Sequence, residues 1–197
     1  MTEQPLTNNQ MKQIDKAKLF NQLFELSLQN KSVTIPTIEY NLPYPKEEFL
    51  KFLVEHKNML LHGSPSQDLE ALEPRQANDG AKESGNKNAV YGISDPVIAI
   101  FFAIQNRDKI NGTVESGTWD NPETGKQEYR FKIPKNSQET FLTDGIIYIL
   151  DKKDFALEKD DQGHNSGEHT SEVAVRPVAK IQIKPSDFKH LDKVKFE

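Results

Sequence analysis

Leu60-Leu61-His62-Gly63-Ser64 is the stretch on which the reading of this chain turns, together with Ala89-Val90-Tyr91-Gly92-Ile93-Ser94-Asp95-Pro96 downstream. The first is an apolar run that stops at His-Gly-Ser. The second is a short β-like run that delivers a tyrosine and then breaks into a helix start. Apolar runs that end abruptly in His, Gly, Ser or Tyr suggest strands carrying polar groups to the mouth of a cleft. Gly63 has no Cβ, so a flat ligand could approach its backbone N–H and C=O closely. Tyr91 offers a ring that can stack on a flat aromatic ligand while its hydroxyl stays available.

Working outward from these two runs, Pro96–Asn106 is apolar nearly all round, from Val97 to Ile104, and that pattern at helical length means a core helix. Asp95 or Ser94 caps it, with Pro96 at the first position. Upstream, Lys46–His56 reads as a helix with Pro45 at its start, Glu47 and Glu48 at its positive end and Phe49, Leu50, Phe52 and Leu53 on its apolar face. Met59–Leu61 is then a buried strand ending at His62. Lys12–Gln29 is an amphipathic helix, with Leu19, Leu23 and Leu26 on one face and Phe20, Phe24 and Leu28 on another. Lys31–Pro45 holds prolines among aliphatic and aromatic residues and suits an extended connector on the surface. Met1–Asn9 reads as disordered, and Asn78–Asn88, almost free of apolar residues, as a mobile loop.

After Asn106 the strand candidates are Gly112–Ser116, Glu128–Ile133, Ile146–Leu150, Glu172–Val175 and Val178–Ile183. Gly117–Lys126, which contains Trp119, reads as a hairpin tip, Lys159–His169 as a polar loop, and Pro185–His190 as a short closing helix or turn. Few helices precede many strands, so the class is α+β with mostly antiparallel pairing, and no repeat is visible. Residues 1–45 form an N-terminal tail, helix and connector, and 46–197 the main domain.

The 197 residues carry 25 Lys and Arg against 30 Asp and Glu, a net charge of -5. That mild acidity argues against a nucleic-acid partner, which favours a basic face. No run of about 18 apolar residues is present, so no membrane span is expected. Met1–Gln13 lacks the apolar core of a signal peptide, and the chain has no cysteine. The expectation is a cytoplasmic protein, export without a cleaved signal being the alternative. His164, Glu168 and His169 offer metal-ligand side chains, but neither a His-Glu-x-x-His helix nor a Cys accompanies them. Gly-x-Ser-x-Gly and glycine-rich phosphate loops are missing too.

His-Gly-Ser at the end of one strand, Tyr91 on a later strand, a core helix, and a Glu opening a late strand together resemble the His-Tyr-Glu class of ADP-ribosyltransferases, the class with the diphtheria-toxin-like and poly-ADP-ribose-polymerase catalytic fold. The resemblance covers about residues 58–188. It implies split antiparallel sheets with NAD lying across them as substrate, and no metal. Carried over by position, it implies that His62 hydrogen-bonds the adenosine ribose. The Gly63 backbone would hold the nicotinamide amide, with Ser64 beside it, and Tyr91 would stack on the ring. Phe101 or Phe102 takes the place of a second aromatic, and Ser94 joins the NAD-binding positions. The family's Glu falls to Glu168, or second to Glu172; the aromatic that usually follows it is His169 here.

The chemistry gives the carboxylate a reason. Cleaving the nicotinamide–ribose bond develops an oxocarbenium cation, and a carboxylate near the ribose stabilises it and holds the 2′-hydroxyl. Pyrophosphate needs cationic donors, for which Arg75 in Glu73-Pro74-Arg75 is the candidate, ahead of Lys87. The reaction implied is ADP-ribosyl transfer, mono-transferring, to an unknown protein or small-molecule acceptor, or NAD glycohydrolysis at the same site. Two alternatives stand beside it: a module that binds NAD or ADP-ribose without turnover, and an RNA 2′-phosphotransferase of related fold. The second expects paired arginines, whereas the chain has only Arg75, Arg107, Arg130 and Arg176.

Overall fold

A computed structural model describes residues 8–29, 34–76, 87–159 and 165–197. The chain is α+β. Three α-helices, α1 (Asn8–Gln29), α2 (Lys46–Lys57) and α3 (Pro96–Ala103), pack against two sheets. The larger sheet has seven strands: β1 (Met59–Ser64), β2 (Arg75–Gln76), β3 (Asn88–Ile93), β6 (Gly145–Asp151), β7 (Ala156–Lys159), β8 (Asn165–Ser171) and β9 (Ala179–Ile183). Its order is β7-β8-β3-β1-β6-β9, with β2 paired to β3. The smaller sheet runs β10-β5-β4, built from β4 (Glu115–Asp120), β5 (Gln127–Ile133) and β10 (Val194–Phe196). The pairing is antiparallel except between β5 and β10.

The β6 sequence, Gly-Ile-Ile-Tyr-Ile-Leu, is apolar without alternation because both of its faces are buried. On one face, Leu61, Ile147, Ile149, Ala179, Ile181 and Ile183 meet α3, α2 and α1. On the other, Leu60, Val90, Ile146, Tyr148 and Leu150 form a smaller core closed by Leu72 and Val175. The all-round apolar helix α3 fills the space between the two sheets: Phe101 is fully buried and lies 4.4 Å from Phe131 of β5, ring to ring. Asp95, and not Ser94, caps α3, accepting from the N–H groups of Val97 and Ile98 at 2.8 and 3.2 Å. Its second oxygen accepts from the Tyr129 hydroxyl at 2.9 Å.

The contact that sets the spacing of these layers is made by two glycines. A Cβ on Gly63 would lie 2.1 Å from the Ala99 carbonyl oxygen and 2.7 Å from the Ala103 nitrogen. A Cβ on Gly145 would lie 1.9 Å from the Ala103 oxygen. Both obstructions are backbone, so α3 rests directly on the β1 and β6 main chains. The Cβ-free face of Gly63 is thus occupied by a helix and is not the open approach for a ligand that the sequence suggests.

Several expectations are corrected. The helix beginning at Pro96 ends at Ala103, three residues early, because Gln105 leaves it to bridge Leu142 while Asn106 N–H donates to the Phe141 oxygen at 2.7 Å. The strand expected at Gly112–Ser116 runs Glu115–Asp120, so Trp119 lies in the strand; the turn is Asn121–Lys126, with Gly125 at φ 64°. The strand expected at Glu172–Val175 is instead Asn165–Ser171, which begins inside the segment Lys159–His169 read as loop and runs two residues past it, with Glu168 inside the strand and not opening it. Strands β2, β7 and β10 were not anticipated. In α1 the buried side chains are Phe20 and Phe24, with Leu23 against the core, while Leu19 and Leu26 face outward. Asn8 and Asn9 belong to this helix, while the rest of the expected disordered tail and most of the Asn78–Asn88 loop lie outside the described residues.

The N-terminal segment is integral to this core. Lys16–Glu48 (2.6 Å) and Lys57–Glu25 (2.7 Å) ion pairs join α1 to α2. The connector is buried at Ile35 and Ile38 and runs beside β9: Ile38 N–H donates to the Lys180 oxygen at 2.7 Å and Lys180 N–H to the Pro36 oxygen at 2.9 Å. No described helix is long and apolar enough to cross a membrane.

The glycine contacts yield a comparison. Gly63→Ala and Gly145→Ala should each cost about 3 kcal/mol, at the upper end for overpacking against immovable atoms. Gly117→Ala, where nothing lies within 4 Å, should leave the denaturant midpoint near that of the parent. Equal midpoints for all three would remove the close α3 contact from the account.

Candidate functional site

β1 and β3 are neighbours, but their ladder is one pair wide, Leu61 opposite Ile93. Beyond it His62 takes over. Its Nδ1 lies 2.8 Å from the Tyr91 carbonyl oxygen. A carbonyl only accepts, so Nδ1 carries the hydrogen and Nε2 of the neutral ring is left as an acceptor. On the other side β1 stays fully paired with β6, His62 opposite Tyr148 and Ser64 opposite Ile146. The two strands therefore part at the His-Gly-Ser end, and a cleft of about 160 Å³ opens there. His62, Ser64, Leu72, Arg75, Val90 and Tyr91 are among its walls.

Each wall has a local cause. Tyr148, in the middle of β6, is fully buried, yet its hydroxyl donates to the Ser66 oxygen at 2.8 Å and accepts from Leu69 N–H at 3.1 Å. That one side chain moors the turn after β1, which then leads to the Leu72–Val175 bridge and to Arg75 on β2. Ser64 Oγ accepts from Ser66 N–H at 3.1 Å and shapes the same turn. Arg75 is exposed, has no carboxylate partner among the described residues, and stands close enough to His62 to act on it electrostatically. The imidazole is held below its ordinary pKa first by burial and then by that guanidinium, against the opposing effect of the bond to Tyr91. It is neutral at pH 7, as an acceptor at Nε2 must be.

The Tyr91 strand continues the arrangement into β8. Tyr91 is opposite Thr170, Gly92 opposite His169 and Ile93 opposite Glu168. Tyr91, Thr170 and Glu168 thus share one face of the sheet, while His62 and Ser64 alternate onto the other. Tyr91 belongs to both settings, since it also lines the cleft. Its phenol is raised above the ordinary range first by burial and further by the charges of Glu168 and Glu158, with the Lys87 backbone opposing. Glu168 is half-buried on β8, near Tyr91 and outside the walls of the His62 cleft.

The strands carrying His62, Tyr91 and Glu168 are therefore three consecutive neighbours, β1, β3 and β8. Phe102 is half-buried, its Cβ 3.1 Å from the position a Gly63 Cβ would take. The Arg107 guanidinium lies 5.4 Å from its ring centre. Phe101 is withdrawn: it is wholly in the core, because α3 turns that side toward Phe131 and Phe188. Glu172 is exposed and just past the end of β8, so it does not open a strand. Ser94 sits at the β3–α3 turn, outside the cleft walls. Lys87 is engaged by Glu158 at 2.8 and 2.7 Å.

No family model, curated protein or solved structure matches the chain. The site's chemistry is therefore read from its residues. Of the four arginines only Arg75 reaches the cleft; Arg107 stands over Phe102, Arg130 is on β5 and Arg176 lies 4.0 Å from Glu70. No group of three or more metal-ligating side chains is assembled among the described residues, and His164 is not one of them.

Three residues escaped the sequence reading: Tyr148, Glu158 and Thr170. For Tyr148 a signal existed, a lone hydroxyl in an otherwise aliphatic strand. For Glu158 and Thr170 there was none, because β7 and β8 lack apolar alternation.

The lowered His62 value sets a pH dependence. As pH falls below 6.5, the unfolded chain takes up a proton that the native ring refuses until lower pH, so stability falls with acidification through that interval. Melting temperatures from pH 7 to 5 should fall less steeply in His62→Gln than in the parent. Identical slopes would mean that the ring is not shielded as described.

Proposed function

We propose that the chain binds NAD across the parting of β1 and β3 and cleaves its nicotinamide–ribose bond, as an ADP-ribosyltransferase of the His-Tyr-Glu kind or an NAD glycohydrolase. The observation that carries this reading is the adjacency of β1, β3 and β8, the strands that bear His62, Tyr91 and Glu168, the three residues to which the resemblance assigns roles. The two faces of the sheet suit the two halves of the dinucleotide. In the cleft, His62 Nε2 accepts a ribose hydroxyl of the adenosine half. Arg75 supplies charge for the pyrophosphate. Around the edge, nicotinamide lies between the Tyr91 ring and Phe102.

Glu168, on the face that Tyr91 presents, stabilises the oxocarbenium as nicotinamide leaves and receives the ribose 2′-hydroxyl. The electron pair of the glycosidic bond departs with nicotinamide, which becomes neutral. The acceptor nucleophile, protein or small molecule, or water, adds at the ribose carbon and gives up its proton.

A second reading, an NAD- or ADP-ribose-binding module without turnover, is favoured by one observation: the Glu168 carboxylate is not on the wall of the His62 cleft. Purified chain incubated with NAD separates the two. The first reading expects nicotinamide release, a fall of about 10²- to 10³-fold in kcat for Glu168→Gln with NAD binding retained, and parent-like turnover in Glu172→Ala. Tyr91→Ala should raise KM by about two- to tenfold. Thermal stabilisation by NAD without release gives the second reading. Neither stabilisation nor release ends both.

A further inference from the structure

Strand β7 reverses the usual order of burial: Leu157 is 43% exposed, while its neighbour Glu158 is only 7% exposed. The ladder between β7 and β8 slips between Leu157 and Lys159, and a bulge of this kind re-aims the residue it contains. The carboxylate so turned inward is fully engaged. Lys87 Nζ reaches both of its oxygens, at 2.8 and 2.7 Å, and the Thr170 hydroxyl donates to Oε1. Burying a carboxylate is costly unless its partners replace water, and these partners do.

What Lys87 does with its main chain gives this ion pair a purpose. Lys87 N–H donates to the Tyr91 phenol oxygen at 3.1 Å, and the phenol O–H donates back to the Lys87 carbonyl at 3.3 Å. Thr170, the other partner of Glu158, is the residue opposite Tyr91 in the ladder. One buried carboxylate thereby holds both the residue that grips the far end of the Tyr91 ring and the residue across from its backbone. We propose that Glu158 is a positioning residue: through Lys87 and Thr170 it fixes the Tyr91 ring in place before a flat ligand arrives. That the ligand is nicotinamide rests on the reading above; that the ring is held does not.

A pre-set ring forgoes ordering cost on binding, so loss of the clamp is felt in KM and not in kcat. Glu158→Gln keeps the shape and removes the charge. Lys87→Met, at a more exposed position, serves if the first variant folds poorly. Each should raise KM for NAD about fivefold, a shift within the worth of one aromatic contact, with kcat within twofold of the parent. Tyr91→Phe, which removes the oxygen that Lys87 grips, should give a similar rise, and Glu158→Gln added to it should raise KM by less than it does alone, because the Lys87 arm is already broken. An additive double variant, or a fall in kcat with KM unchanged, overturns the proposal.

A ligand-free measurement separates this from the NAD reading. In the ¹⁵N-labelled protein, Tyr91→Phe and Glu158→Gln should both move the Lys87 amide resonance. If Glu158→Gln leaves it in place, the clamp is refuted whatever NAD does. If the amide moves but the parent neither cleaves nor is stabilised by NAD, the clamp stands and the NAD reading falls.

Discussion

The structure depends on how closely one helix can lie on a sheet. Helix α3 touches β1 and β6 through main-chain atoms at Gly63 and Gly145, with no side chain between. An apolar helix laid that deep can fill the gap between two sheets, which is why Phe101 reaches Phe131 and Phe188. The same contact fixes β1 from one side. With β6 holding its full length, β1 has little freedom to follow β3, and the β1–β3 ladder stops after a single pair. The cleft is the space left by that mismatch.

His62 is the group that makes the mismatch tolerable. Where strands part, a backbone carbonyl loses its ladder partner and needs another. The imidazole supplies it at Tyr91, at the cost of a ring lodged in protein with its proton affinity reduced. Tyr148 does the corresponding task for the turn after β1, satisfying Ser66 and Leu69 from inside the core. The polar strand ends are therefore structural necessities before they are recognition elements, and a ligand site here is built from groups the fold already requires.

What could be read from the sequence followed apolar periodicity. The strands around His62, Tyr91 and Ile147 and the helices α2 and α3 announced themselves because burial writes aliphatic runs, and Asp95-Pro96 marked the α3 start. Strand β8, Asn165-Ser-Gly-Glu-His-Thr-Ser, could not be found that way. It is a strand because β3 and β7 flank it, and its buried residues are polar: His169, Thr170 and Ser171. Of the residues the sequence singles out, His62 and Tyr91 do lie on the walls of one cleft. The open approach expected at Gly63 is closed, because its missing Cβ serves a helix, and Phe101 is directed inward by the turn of α3. Glu158 could not be foreseen, because only a slipped ladder brings it in.

The connector hydrogen-bonded beside β9 has a bearing on how this molecule behaves among others of its kind. A terminal strand in a large sheet is a row of vacant donors and acceptors, an invitation to unwanted growth. Here Pro36 and Ile38 answer that row along Lys180, and the prolines around them are poor templates for any further layer. The chain's own early residues act as its guard against polymerisation on that flank.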